Sequence, residues 1–201
     1  MASELAMYFE LKFGKTNSWV ATLGPTPEIV YDKITGKEDF TELRKVKTYC
    51  SAWKPGKDWT PQPICIHERD SGRKLTKADR IIGSVVGPFL SENAVEKVRS
   101  LLEREGYILP LDVKNHDENF YLWWVPWVED SIDFERSEKH SGGMTIKKPA
   151  INYDKVKGLT AFRRHYDGMY NPDGQENVIV NDEFRRKWLD EGLTGILFEP
   201  V

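Results

Sequence analysis

Ser91-Glu92-Asn93-Ala94-Val95-Glu96-Lys97-Val98-Arg99-Ser100-Leu101-Leu102-Glu103-Arg104-Glu105-Gly106-Tyr107-Ile108-Leu109-Pro110 predicts a helix followed at once by a strand. Ser91 can cap the helix, and Glu92 lies at the positive end of its dipole. Ala94, Val95, Val98, Leu101 and Leu102 share one apolar face at helical spacing. Gly106 is expected to close the helix in a left-handed conformation, with Tyr107 packing back on Leu102. The strand is read from Tyr107 to Val113.

The same order returns near the C-terminus. Val178-Ile179-Val180 reads as a short strand, Asn181 as an N-cap, and Asp182 and Glu183 as the first helical turn. Phe184 and Trp188 fall one turn apart, Gly192 ends the helix, and Gly195 to Val201 reads as a closing strand. At the other end Leu5, Met7, Phe9, Leu11 and Phe13 alternate with Tyr8, Glu10 and Lys12, which predicts a strand buried on one face. Ile29 to Ile34 is expected to form a second strand, and Tyr49 to Gln62 a long surface loop rich in Trp, Pro, Gly and Lys. The pattern defines an α+β protein with antiparallel or mixed sheets and a few helices. It reads as one domain over residues 1–201, divisible into lobes 1–80 and 81–201, each carrying a helix–strand unit.

Composition narrows the function. The chain has 201 residues, seven Trp, eight Tyr, nine Phe and a formal net charge of −3. Disordered chains lack such aromatic content. The charge gives no reason to bind nucleic acid, although residues 33–80 are mildly basic. No leader-like or membrane-spanning stretch is apparent, since a span needs roughly 18 apolar residues. A cytoplasmic protein with no membrane partner is therefore expected. Cys50 and Cys65 read as reduced, structural thiols.

No catalytic or metal-binding pattern stands out among His67, His116, His140 and His165, none of which pairs with another at helical spacing. His116-Asp117-Glu118 and His165 with Asp167 are the nearest to a cluster. Gly83-Ser84-Val85-Val86-Gly87-Pro88 lacks the ending of a phosphate loop, and Ser141-Gly142-Gly143 lacks the strand before a nucleophile elbow. No cofactor, no metal and no enzymatic activity are expected.

Two aromatic stretches remain. Phe120-Tyr121-Leu122-Trp123-Trp124-Val125-Pro126-Trp127 reads as a core strand apolar on both faces, running out into Trp127, Glu129 and Asp130. Trp127 with those acids forms a candidate hot spot for a basic protein partner. Trp53 and Trp59, with Lys54, Lys57 and Asp58 between them, either anchor a partner or fold back as a lid on the core.

Val180-Asn181-Asp182-Glu183-Phe184 followed by Glu191-Gly192-Leu193-Thr194-Gly195-Ile196-Leu197-Phe198-Glu199-Pro200-Val201 resembles the closing pattern of a bacterial immunity-protein family. Gly87-Pro88-Phe89-Leu90-Ser91, Tyr107 to Pro110, Tyr121-Leu122 and Ile132-Asp133-Phe134-Glu135-Arg136-Ser137 fit its order, so that the resemblance covers about residues 80–201. Members are encoded beside polymorphic toxins, including type VI secretion and contact-dependent effectors. The resemblance implies a non-enzymatic protein that neutralises one cognate toxin by stoichiometric binding, and it carries no list of functional residues. The alternatives are a small-substrate hydrolase or transferase using His116, His165 or a carboxylate pair, and an adaptor or chaperone for a secreted effector.

Overall fold

The computed structural model describes residues 7–13, 18–23, 41–70, 73–81, 87–141, 146–164 and 178–201. The strand expected at Ile29–Ile34, Leu5, most of the Gly83 run, Gly142-Gly143, His165 and Asp167 lie outside them. In chain order the first elements are β1 (Tyr8–Phe13), β2 (Val20–Leu23), α1 (Thr41–Ala52), β3 (Gln62–His67), β4 (Arg69–Asp70), β5 (Arg73–Lys74), β6 (Arg80–Ile81), β7 (Phe89–Ser91), α2 (Glu92–Glu105) and β8 (Tyr107–Val113). Then follow β9 (Phe120–Trp124), β10 (Trp127–Val128), β11 (Ile132–Lys139), β12 (Ile146–Ile151), α3 (Tyr153–Val156), β13 (Ala161–Arg164), β14 (Val178–Asn181), α4 (Asp182–Asp190) and β15 (Ile196–Pro200). The fold is α+β and mostly sheet.

A six-stranded sheet runs β2-β3-β8-β9-β7-β6 and a five-stranded sheet runs β10-β13-β14-β1-β15. In the first, β7 and β8 both pair antiparallel with β9. In the second, β14 and β15 both pair antiparallel with β1. Each helix–strand unit of the sequence is therefore a β–α–β crossover whose parallel strands are split by a third strand. The two units are capped alike: Ser91 Oγ accepts from the Ala94 amide at 3.2 Å, and Asn181 Oδ1 accepts from the Phe184 amide at 3.0 Å. Both helices bury their apolar faces in one core with Trp123, Val178 and Val180, so the units pack helix to helix.

Neither sheet is built from one side of residue 80. β1 sits between two C-terminal strands, while β2 and β3 extend the sheet of β8 and β9. Strands of four to six residues bury their apolar faces only beside neighbours, and those neighbours come from far along the chain.

Cover on both faces of β1 corrects its expected one-sided burial. Phe9 and Leu11 enter the core shared with α2 and α4, but Tyr8 and Glu10 are equally buried on the opposite face. Tyr8 packs there with Ile132, Ile146, Ile151 and Phe162 beneath β11, β12 and α3, and its hydroxyl donates to the Val156 carbonyl at 2.7 Å. Glu10 lies 3.0 Å from Lys12 Nζ and 3.4 Å from Arg164 Nη2, the partners a buried carboxylate requires.

The surface loop expected from Tyr49 to Gln62 is shorter than read: α1 continues to Ala52 and β3 begins at Gln62. Gly106 is extended, with φ −111° and ψ 179°, not left-handed. Its lack of a side chain matters for space, because a Cβ there would lie 2.4 Å from Trp123 Nε1 and 2.8 Å from the Trp124 carbonyl oxygen. Tyr107 turns away from Leu102 toward Trp53 and Trp124. Gly192 does end α4 left-handed, at φ 67°, with the Leu193 amide bonded to the Trp188 carbonyl at 3.1 Å.

Asp79 ties the two units together. Its carboxylate accepts from Ser91 Oγ at 3.0 Å, Asn93 Nδ2 at 2.7 Å, the Thr194 amide at 2.9 Å and Thr194 Oγ1 at 3.0 Å. Burial alone pushes this carboxyl up, but the bonds from Asn93, Thr194 and Ser91 together hold it below its ordinary value. A depressed folded pKa stabilises the fold above the unfolded value, and that contribution is lost as pH falls through the folded pKa. We expect Asp79→Ala to cost about 1–3 kcal/mol at neutral pH. Urea midpoints measured against pH should show the deficit shrinking on acidification, because the wild type loses the same contribution.

Candidate functional site

The β8–β9 register sets Tyr107 opposite Trp124, and their rings meet at 5.9 Å. α1 ends just before Trp53, whose amide still bonds the Tyr49 carbonyl at 3.0 Å, and its indole drops onto that pair at 5.5 Å from Tyr107 and 5.4 Å from Trp124. The chain then turns through Gly56, at φ 83°, so that Trp53 Nε1 donates to the Lys57 carbonyl at 3.1 Å. Trp59 closes the loop: its Nε1 donates to the Pro110 carbonyl at 2.7 Å, and its ring meets Trp53 at 6.0 Å and Tyr49 at 5.4 Å. The Tyr49 hydroxyl accepts from the Thr60 amide at 2.8 Å.

On the far side of Trp124 the chain leaves β9 through Val125-Pro126, and Trp127 pairs with Arg163 across β10 and β13. Arg163 Nε donates to the Val125 carbonyl at 2.5 Å, and its guanidinium carbon lies 5.0 Å from the Trp124 ring and 4.6 Å from the Trp127 ring. Burial pushes the Arg163 pKa down to about 10, which leaves the side chain cationic at neutral pH. Each such contact contributes about 0.5–2 kcal/mol, more where water is excluded.

The result is one aromatic band: Tyr49, Trp59, Trp53, Tyr107, Trp124, Arg163 and Trp127. Trp53 and Trp124 form its buried floor, Tyr49 and Trp59 are half-buried, and Tyr107 and Trp127 stand 44% and 52% exposed. The two aromatic stretches singled out in the sequence thus meet. Trp53 is not itself an exposed anchor: it takes the lid role, because a loop indole with its N–H satisfied internally gains more from the core than from water. Trp59 is tied down in the same way but keeps part of its ring at the surface. Glu129 and Asp130 form an exposed turn after Trp127, with Asp130 at φ 52° and Lys155 Nζ 3.9 Å away. Lys54, Lys57 and Asp58 are exposed at the other end. Tyr49, Tyr107 and Arg163 were not candidates in the sequence. Tyr107 was legible only through the β8–β9 register, and nothing local marks Arg163.

A separate polar cleft of about 480 Å³ opens at the N-terminal end of α2. Lys77, Asp79, Glu92, Glu96, Asp117 and Glu118 line it with Ser91, Asn93 and Asn119. Lys77 pairs with Glu118, and Glu92 accepts from Asn119 Nδ2 at 3.2 Å. The cleft is strongly acidic, but its innermost carboxylate, Asp79, is saturated by its four structural bonds.

The described histidines, His67, His116 and His140, each have their own surroundings. His67 Nε2 is hydrogen-bonded with Thr22 Oγ1 at 2.9 Å. His116 Nδ1 accepts from the Glu118 amide at 3.2 Å, with Nε2 3.4 Å from Glu68, and its ring meets Trp19 edge-on at 4.9 Å. His140 is exposed. Cys50 and Cys65 are buried and form no disulfide, and burial pushes the Cys50 thiol up to about 12, far from a reactive thiolate. Among the described residues no helix is long and apolar enough to cross a membrane.

Compared with known proteins, the chain matches no protein-family model and no curated protein.

Proposed function

We infer that this chain is an immunity protein, which binds one cognate toxin domain in the cytoplasm of its producer and neutralises it without catalysis of its own. The observation that carries this reading is the aromatic band. Its exposed rings stand on a floor of buried indoles, and the N–H groups of Trp53 and Trp59 are already bonded, so little side-chain freedom is lost on docking. Large aromatic side chains held rigidly at a surface and edged with charge are what protein hot spots are made of. The acids beside Trp127, together with the acidic cleft, suit a basic partner and steer its approach. The resemblance over residues 80–201 points to the same class. An inhibitor of this kind must outcompete the toxin's substrate, so a dissociation constant of about a nanomolar or tighter is expected.

The test is co-purification of the tagged protein with the product of the adjacent gene, followed by titration of that product's toxicity. A one-to-one complex that abolishes toxicity supports the reading, whereas a complex that leaves toxicity intact is the adaptor's behaviour. No complex and no rescue would overturn it. Within that complex, Trp127→Ala should weaken binding by about 2 kcal/mol. Glu129→Lys and Asp130→Lys should slow association, most at low salt. Unchanged affinity in all three, by surface plasmon resonance, would remove this surface as the interface.

A further inference from the structure

We propose that, when no other partner is bound, the aromatic band is covered by the same band of a second copy of this chain, related by a two-fold axis. This goes beyond the toxin-binding reading and does not depend on it. Three features on the surface lead here.

The first is that the exposed rings of Tyr107 and Trp127 belong to one aromatic band, joined through Trp124 and the buried Arg163 guanidinium and continued by Trp53 and Trp59, not to scattered single residues. Such strips on soluble chains mark surfaces that become covered. The second is charge. One end of the strip carries Lys54 and Lys57 against a single acid, Asp58, and the other carries Glu129 and Asp130, with Lys155 alongside Asp130. The third is symmetry. A two-fold operation turns the strip end for end, so that the lysines of each copy face the acids of the other, while Trp124 and Tyr107 lie near the axis. An isologous contact needs such self-complementarity. The acidic cleft lacks it, since a second copy would set carboxylates against carboxylates. Trp127 also stands on β10, at the edge of its sheet, so no described strand lies beyond it to obstruct a second copy.

Sedimentation velocity over a range of concentrations should show a monomer–dimer equilibrium. Glu129→Lys with Asp130→Lys should weaken it by about tenfold or more, and so should Lys54→Glu with Lys57→Glu. All four changes made in one chain should restore it, and the two double variants mixed together should form the heterodimer. Restoration is a readout that damage to the fold cannot mimic. A second measurement needs no variant. Zero-length carbodiimide coupling of a mixture of ordinary and ¹⁵N-labelled wild-type chains should give a mixed-isotope cross-link between Lys57 and Glu129 or Asp130. A monomer at every concentration, a dimer indifferent to the swaps, or cross-links confined to one copy would each overturn the proposal. A monomer would leave toxin binding untouched, and a failure to rescue toxicity would leave the dimer standing.

Discussion

Gly195→Ala is expected to destabilise the protein by about 2–6 kcal/mol. Gly195 sits at φ 90°, a conformation that L residues rarely adopt, and a Cβ there would lie 2.2 Å from the Arg80 carbonyl oxygen and 2.9 Å from its nitrogen. Arg80 cannot withdraw. Its backbone pairs with Leu90, its amide donates to the Thr194 carbonyl at 3.2 Å, and its buried guanidinium donates to the Lys12 carbonyl at 2.6 Å. Backbone strain of about 1–3 kcal/mol adds to overpacking of similar size. Together these approach the low end of a typical domain stability of about 5–15 kcal/mol. Gly192→Ala is the control: it is also left-handed, at φ 67°, but nothing lies within 4 Å of its Cβ position. It should cost only about 1–2 kcal/mol. Urea denaturation of the pair separates the two mechanisms, and equal costs would show that contact with Arg80 is unimportant.

The second large effect is expected for Trp123→Ala, at about 3–5 kcal/mol. Trp123 is 1% exposed, stacks on Phe184 at 5.2 Å and 3°, and through Phe184 meets Trp188. Its Nε1 donates to the Leu102 carbonyl near the end of α2 at 3.0 Å. One side chain thus joins β9 to both helices, so its removal opens a cavity and leaves the Leu102 carbonyl with only its bond from the Gly106 amide. Trp123→Phe should recover much of the packing but not the indole's bond, and it should fall between wild type and alanine in the same titration. A Trp123→Ala variant as stable as wild type would mean that the two units hold together without the aromatic stack.

What could be read from sequence follows the range of the forces involved. α2 and α4, their caps and β8, β14 and β15 were legible because apolar period, N-cap and closing glycine all act within a few residues. The end of α1 and the start of β3 were hidden by a Trp, Pro and Gly run whose composition is that of a loop but whose indoles are core. Gly106 was recognised as necessary for the wrong reason: its constraint is set by Trp123, seventeen residues on and on another strand. The candidate site divides in the same way. Trp127, Glu129 and Asp130 were visible as an aromatic beside acids, but their union with Trp59 and Tyr107 depends on strand register and on Arg163, which no local pattern marks.

The place of β1 has a bearing on how the molecule comes into being. Glu10 pairs with Ile179 and Leu11 with Phe198, so the strand at residues 8–13 must wait for strands at residues 178–181 and 196–200. During synthesis its apolar residues emerge with no sheet to enter, and the ribosome will have translated nearly all of the rest before either flank exists. Assembly of this sheet therefore waits on a long-range closure, which makes it slow. A chain cut short ahead of Val178 would thus keep β1 but lack both strands that flank it.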